Sequence, residues 1–176
     1  AAVIGLEGNK IQEICSSFSD GIVCVANYNS PSQVVISGDV KAVSSASSTI
    51  KDAGALKVVE LNVSGAFHSP LMSKAKDALH EHLSNIEIND TSFPVYTNFS
   101  SEPVSLKAEI QLALLNQIEN PVLWHDIIKR MIEDGISTAV EIGPSKVLQG
   151  LSKRINRSLI MYGAESYEDI LNLNNV

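Results

Sequence analysis

Among the four histidines of this 176-residue chain, His68 has the setting best suited to chemistry. It sits in "SGAFHSPLM", Ser64 to Met72, between a phenylalanine and a Ser-Pro turn. Imidazole exchanges protons near neutral pH, so a histidine on a rigid loop is a candidate general base or acid. Just upstream, "KVVELNV" directs Val59, Leu61 and Val63 one way and Glu60 and Asn62 the other. That alternation predicts a half-buried strand over 57–63. Downstream, Leu71, Ala75, Ala78, Leu79, His82 and Leu83 share one face of a predicted helix, with Pro70 in its first turn. His68 therefore occupies a strand-to-helix loop, where α/β proteins tend to place reactive side chains. A loop histidine bonded to a nearby carbonyl is the plainer reading, and this stretch alone leaves both open.

Three other patches put polar groups at turning points. "ANYNSPSQVVISG" (Ala26–Gly38) sets Asn27 and Asn29 at a strand end before a proline turn, where Asn is also ordinary turn chemistry. In "QIENPVLW" (Gln117–Trp124), Pro121 interrupts a helical pattern and leaves carbonyls one turn earlier without amide partners. Such carbonyls can orient an imidazole, although most only mark a helix end. "EIGPSKVLQG" (Glu141–Gly150) reads as a strand, a tight turn and a helix start. It is either an anion site at a helix N-terminus or structural punctuation, and it lacks a Gly-rich phosphate loop. "HEH" at His80–His82 invites a metal, but positions i and i+2 diverge on a helix, so no shared ion is expected.

The hydrophobic fraction of 44% and charged fraction of 19% describe a soluble globular unit with one core or two small subdomains. A net charge of −7, no Lys/Arg-rich run and a single Trp argue against a nucleic-acid partner. No apolar stretch is long enough for a transmembrane helix, so no membrane association is expected. Cys15 and Cys24 have neither zinc-ligand nor redox spacing and read as small buried hydrophobes. N-x-S/T triplets at Asn62, Asn89, Asn98 and Asn156 are explained by chance in a Ser/Asn-rich chain. The chain opens on "AAVIGL", with no start methionine or targeting segment, which suggests a piece of something longer.

The elements that must position these patches come in two rhythms. Strands at 2–6, 21–29, 33–38 and 57–63 alternate with helices after Gly8 and after an Asp39 cap, giving the order β-α-β-β-α-β. The first helix is marked by Ile11, Ile14, Cys15 and Phe18, the second by Val40, Val43, Ala46 and Ile50. Beyond the His68 helix, strands at "FPVYTNF", "STAVEIG" and "SLIMYG" alternate with helices, as in a parallel sheet covered by helices. The predicted fold is thus α/β, a ferredoxin-like β-α-β-β-α-β subdomain at 1–64 followed by a parallel-sheet region at 65–176. The β-α-β-β-α-β order alone says nothing about function.

Taken together, "ANYNSPSQVVISG", "VSGAFHSPLM", "QIENPVLW" and "VEIGPSKVLQGL", in this order and spacing, closely resemble the malonyl-CoA:acyl carrier protein transacylases. These are related to the acyltransferase domains of polyketide and fatty acid synthases, and the likeness runs from Ala1 to about Ile155. The resemblance makes 65–176 the C-terminal part of an α/β-hydrolase-like subdomain. It implies malonyl transfer from coenzyme A to the phosphopantetheine thiol of acyl carrier protein, by a ping-pong mechanism and without a cofactor or metal. By resemblance His68 is the general base and acid, oriented by the backbone carbonyl of Gln117. Asn27, Asn29 and Phe67 fall to substrate binding, with Phe67 in the "AFH" pattern that resembles malonyl selection. A monomeric full-length protein is implied, working in the bacterial cytoplasm, or in a plastid or mitochondrion.

The chain departs from the family pattern at Ile118, where Leu is usual, and at Ser145, where Gly is usual. The larger departure is an absence. The family's Gly-His-Ser-Leu-Gly nucleophile elbow, its malonyl-pairing arginine and its oxyanion-hole glutamine do not occur in these 176 residues, so the serine is expected upstream. On that reading the chain holds half an active site and is inactive alone. The competing readings are a non-catalytic carrier-protein-binding module derived from an acyltransferase, and an unrelated ferredoxin-like scaffold. A basic cluster at Lys146, Lys153, Arg154 and Arg157 is either a docking surface for an acidic carrier protein or a solvated helix face.

Overall fold

The computed structural model describes residues 1–173. Strands β1 (Ala2–Ile4), β2 (Val23–Ser30), β3 (Gln33–Gly38) and β4 (Lys57–Val59) alternate with helices α1 (Gly8–Ser16) and α2 (Val40–Asp52) in the predicted β-α-β-β-α-β order. They form one four-stranded sheet, β2-β3-β1-β4, in which every neighbouring pair is antiparallel. The core follows from the two periodicities. Val34 and Ile36, two apart on β3, meet Ile11 and Cys15, four apart on α1, and Ala42, Ala46 and Ile50, four apart on α2. Val3, Val23 and Val25 complete this cluster. Each large aliphatic chain buried there contributes about 1.5–3 kcal/mol. Burial, and secondarily the neighbouring Cys24, pushes the Cys15 thiol up to about 11, so it fills the core as a neutral group.

Sequence periodicity overran the structure at several edges. The strand predicted over 57–63 stops at Val59, because β4 lies at the sheet edge and pairs only with Ala2–Ile4 of β1. Leu61 and Val63 are consequently exposed, at 40% and 60%. Val40, assigned by spacing to the inner face of α2, is 81% exposed; Ala42 turns inward instead. The strand predicted over 93–99 shrinks to β5 (Val95–Tyr96), which pairs antiparallel with an unpredicted β6 (Pro103–Val104). Pro94 and Pro103 withhold ladder donors here. The Thr97–Ser101 turn, closed by Ser101 N–H to the Thr97 carbonyl at 2.9 Å, folds the chain back into a hairpin.

The chain divides into two compact units, Ala1–Ile127 and Ile128–Val176. The first also holds a 3-10 turn at Pro70–Met72, α3 (Ser73–Ser84) and α4 (Lys107–Gln117). Helix α5 (Trp124–Glu133) crosses the division and buries Ile127 and Ile128. In the second unit, β7 (Thr138–Ile142) and β8 (Ile160–Ala164) pair in parallel, with α6 (Val147–Ile155) between them in sequence. A final helix, α7 (Tyr167–Leu173), was not legible in the sequence pattern.

Candidate active site

The His68 loop is pinned on both sides. Ser69 is completely buried and has extended backbone. Its hydroxyl donates to the Ala66 carbonyl at 2.6 Å and accepts from the Leu71 amide at 3.3 Å. One side chain thus caps the Pro70 turn and ties it back across His68. Between these anchors His68 adopts φ +57°, the left-handed region that His tolerates better than most residues. The Cys24 thiol approaches the His68 carbonyl at 3.8 Å. The Ser-Pro turn was legible in the sequence, but not that its serine would be buried and act as a cap.

From this loop the His68 ring reaches Gln117, the last residue of α4. Nδ1 lies 2.9 Å from the Gln117 backbone carbonyl. A carbonyl only accepts, so this contact requires the proton on Nδ1 and leaves the Nε2 lone pair free. The Gln117 side-chain amide, 3.3 Å from Nδ1, spends its own donors on the carbonyls of Asn120 at 3.0 Å and Pro121 at 3.4 Å. Two further ties hold the partners. Lys76 of α3 pairs with Glu119 at 2.7 Å and with the Asn116 side chain at 3.4 Å. Val122 is stitched to β2 by its amide to the Ala26 carbonyl at 2.8 Å and by the Tyr28 amide to its carbonyl at 2.9 Å.

A groove of about 260 Å³ opens beside His68. Its walls include Phe67, Asn27, Leu61 and Val63. Phe67 is 47% exposed, so its ring belongs to the groove wall and not to the core. Asn29 lies two residues further along β2, half-buried, and is not among the groove's lining residues. Leu61 and Val63 are the wall residues that periodicity misassigned; alternation reveals sidedness but not which side meets solvent.

In the second unit, the strand-turn-helix at Glu141 supplies its own anion. The buried Glu141 carboxylate accepts from the Leu148 amide at 2.9 Å, the Gln149 amide at 3.0 Å and the Gln149 side chain at 3.1 Å. Burial raises its pKa, but these three donors outweigh it and hold the carboxyl below its ordinary value. The helix N-terminus is therefore capped internally. Lys146, Lys153 and Arg157 line a groove of about 530 Å³ with Leu159, Ile160 and Met161. His80 and His82 both lie on α3, and among the described residues no three metal-ligating side chains gather. No described helix is long and apolar enough to cross a membrane.

The site thus consists of an imidazole held by a backbone carbonyl, beside a groove walled by Phe67. Residues 2–169 match the acyl transferase domain model. The chain is 39% identical over 161 residues to a malonyl CoA-acyl carrier protein transacylase of Bacillus subtilis, covering 90% of this chain and 51% of that protein. An acyl-carrier-protein S-malonyltransferase of Burkholderia pseudomallei superposes with a TM-score of 0.94 at 31% identity, covering 99% and 57%. A malonyl-transacylase solved in complex with its type II PKS acyl-carrier protein gives a TM-score of 0.93 at 36% identity, covering 99% and 57%. The chain thus spans about half the length of the curated relatives it matches. With a family model matched across nearly all of its residues, the chain belongs to the acyl transferase domain family.

Proposed function

We propose that these residues form the histidine-bearing part of a malonyl-CoA:acyl carrier protein transacylase, with a serine nucleophile supplied by sequence outside the 176 residues. The observation that carries this reading is the 2.9 Å contact between His68 Nδ1 and the Gln117 carbonyl, which leaves Nε2 as a base at the groove. In the first half-reaction Nε2 takes the serine proton as the hydroxyl attacks the malonyl thioester. The tetrahedral adduct collapses, the carbon–sulfur bond breaks, and the imidazolium returns the proton to the departing coenzyme A thiol. In the second, the phosphopantetheine thiol of acyl carrier protein attacks the malonyl-serine ester. His68 takes the thiol proton and returns it to the serine oxygen. No cofactor enters this scheme.

Within this reading, 1–64 is the ferredoxin-like small subdomain and 65–176 the C-terminal part of the α/β-hydrolase-like large one. Phe67 and Asn27 bound the acyl pocket, and Asn29, two residues along the same strand, is assigned with them to substrate binding from beyond the groove wall. The basic groove at Lys146, Lys153 and Arg157 suits an acidic carrier protein. The bacterial relatives favour a bacterial cytoplasm over a plastid or mitochondrion, and we take the full-length protein to be monomeric.

The test uses a polypeptide of the relatives' full length. Incubated with malonyl-CoA alone, it should acquire one malonyl group on a serine, seen by mass spectrometry, and pass it to added acyl carrier protein. A protein that binds the carrier but never acquires malonyl would instead be a binding module.

A further inference from the structure

We infer that Pro121 is a positioning residue: it keeps the Gln117 carbonyl available to His68 by withholding the one backbone amide that would otherwise claim it. The inference rests on His68 being the working base, and extends it to a residue that touches no reacting atom.

Helical hydrogen bonds run from each amide to the carbonyl four residues earlier. At the end of α4 this ladder continues past the last helical residue, for Asn120 N–H still reaches the Asn116 carbonyl at 3.2 Å. The next rung would join residue 121 to Gln117. Residue 121 is proline, which has no N–H, and the carbonyl left open is the one at 2.9 Å from His68 Nδ1. Proline also turns Asn120 away from helical backbone. The side chain of Gln117 reinforces this exit by donating to the Asn120 and Pro121 carbonyls. Beyond it Val122 is locked to β2 by two backbone bonds, and the Pro121 carbonyl lies 3.4 Å from Gln117 Nε2, so residue 121 is held beside Gln117.

Two variants separate the missing donor from the stiff ring. Pro121→Ala restores an amide and frees φ. Replacing Pro121 with lactic acid frees φ equally but puts an ester oxygen where the amide would be. The readout is the tautomer ratio of the His68 ring in the 176-residue chain, from nitrogen–proton couplings of labelled histidine. It depends on no transfer activity, so it fails or succeeds independently of the proposed function. Competition from a new amide should lower the ratio of Nδ1–H to Nε2–H forms roughly 2- to 10-fold in Pro121→Ala, the effect of losing one neutral hydrogen bond. The lactate variant should keep the wild-type ratio. An unchanged ratio in Pro121→Ala, or an equal shift in both variants, would overturn the inference. So would unfolding of both, which would make the ring's rigidity the purpose; unfolding of the alanine variant alone would still single out the amide. In a full-length protein, Pro121→Ala should lower kcat/KM for malonyl transfer by a similar factor and shift its pH profile.

Discussion

Replacing Glu141 with Gln removes a charge and one acceptor while leaving the shape of the side chain. The carboxylate uses Oε1 for the Leu148 amide, and Oε2 for the amide and side chain of Gln149. A glutamine can satisfy one of these sets; its NH2 group then faces an N–H on the other. Hydrogen bonds to a charged group are worth about 1.5–3 kcal/mol each, and a buried donor left unpaired adds to the loss. Glu141→Gln should therefore cost roughly 2–3 kcal/mol. For a chain of this size that corresponds to a fall in Tm of about 5–10 °C. The pH dependence carries a second signature. The folded-state pKa of Glu141 lies below its ordinary value of 4.5. Its stabilisation is therefore fully present above that value and is lost as pH falls through the lower folded one. The gap between wild type and Glu141→Gln should be widest near neutrality and narrow in acid. Thermal unfolding by circular dichroism across pH 3–7 measures this, with amide exchange at Leu148 as a local reporter. A gap under about 0.5 kcal/mol, or one that ignores pH, would refute the internal cap.

Ser145 holds φ +93°, in the left-handed region that favours glycine; Ser145→Gly should raise stability by about 0.5–1 kcal/mol, read as a denaturation midpoint shift. A loss of stability would mean that the serine makes a compensating contact. In a full-length protein, Phe67→Ser should relax selection against methylmalonyl-CoA by about 10-fold, because the half-exposed ring bounds the groove beside His68. Competing both thioesters in one reaction gives the ratio, and an unchanged ratio would remove Phe67 from the pocket. On the proposed function, and again in a full-length protein, Lys153→Glu should raise the KM for acyl carrier protein several-fold, more at low salt, while leaving malonyl loading from coenzyme A unchanged. An effect on both half-reactions would place Lys153 elsewhere in the mechanism.

What the sequence made legible was set by local pattern. The β-α-β-β-α-β order could be read because Val34/Ile36 and Ala42/Ala46/Ile50 keep the periods of strand and helix and all turn to one core. The His68–Gln117 contact was expected from the resemblance, and Pro121 marked, without any relative, carbonyls one turn earlier that lack amide partners. Other features depend on partners remote in the chain. Leu61 and Val63 alternate like strand residues, yet β4 has no ladder to extend into. The β5–β6 hairpin arises from a serine-rich turn and two prolines, which periodicity does not weigh. The Glu141 cap was hidden because its donors lie seven and eight residues ahead, across a turn whose geometry composition does not specify. Asn29 shared a motif with Asn27 but not its groove, since a shift of register between Tyr28 and Ser30 interrupts the alternation of β2 there.

In the proposed function His68 Nε2 moves the proton in both halves of malonyl transfer. The most direct measurement is the rate of malonyl transfer by a polypeptide of the relatives' full length, wild type against His68→Ala. Removing a general base costs roughly 10²–10⁴-fold, so the variant should lose at least about 100-fold in kcat/KM with its fold intact by circular dichroism. Gln117→Ala, which keeps the backbone carbonyl, should remain far closer to wild type. A folded His68→Ala protein transferring malonyl at near wild-type rate would contradict the account and leave His68 a loop histidine held by a convenient carbonyl.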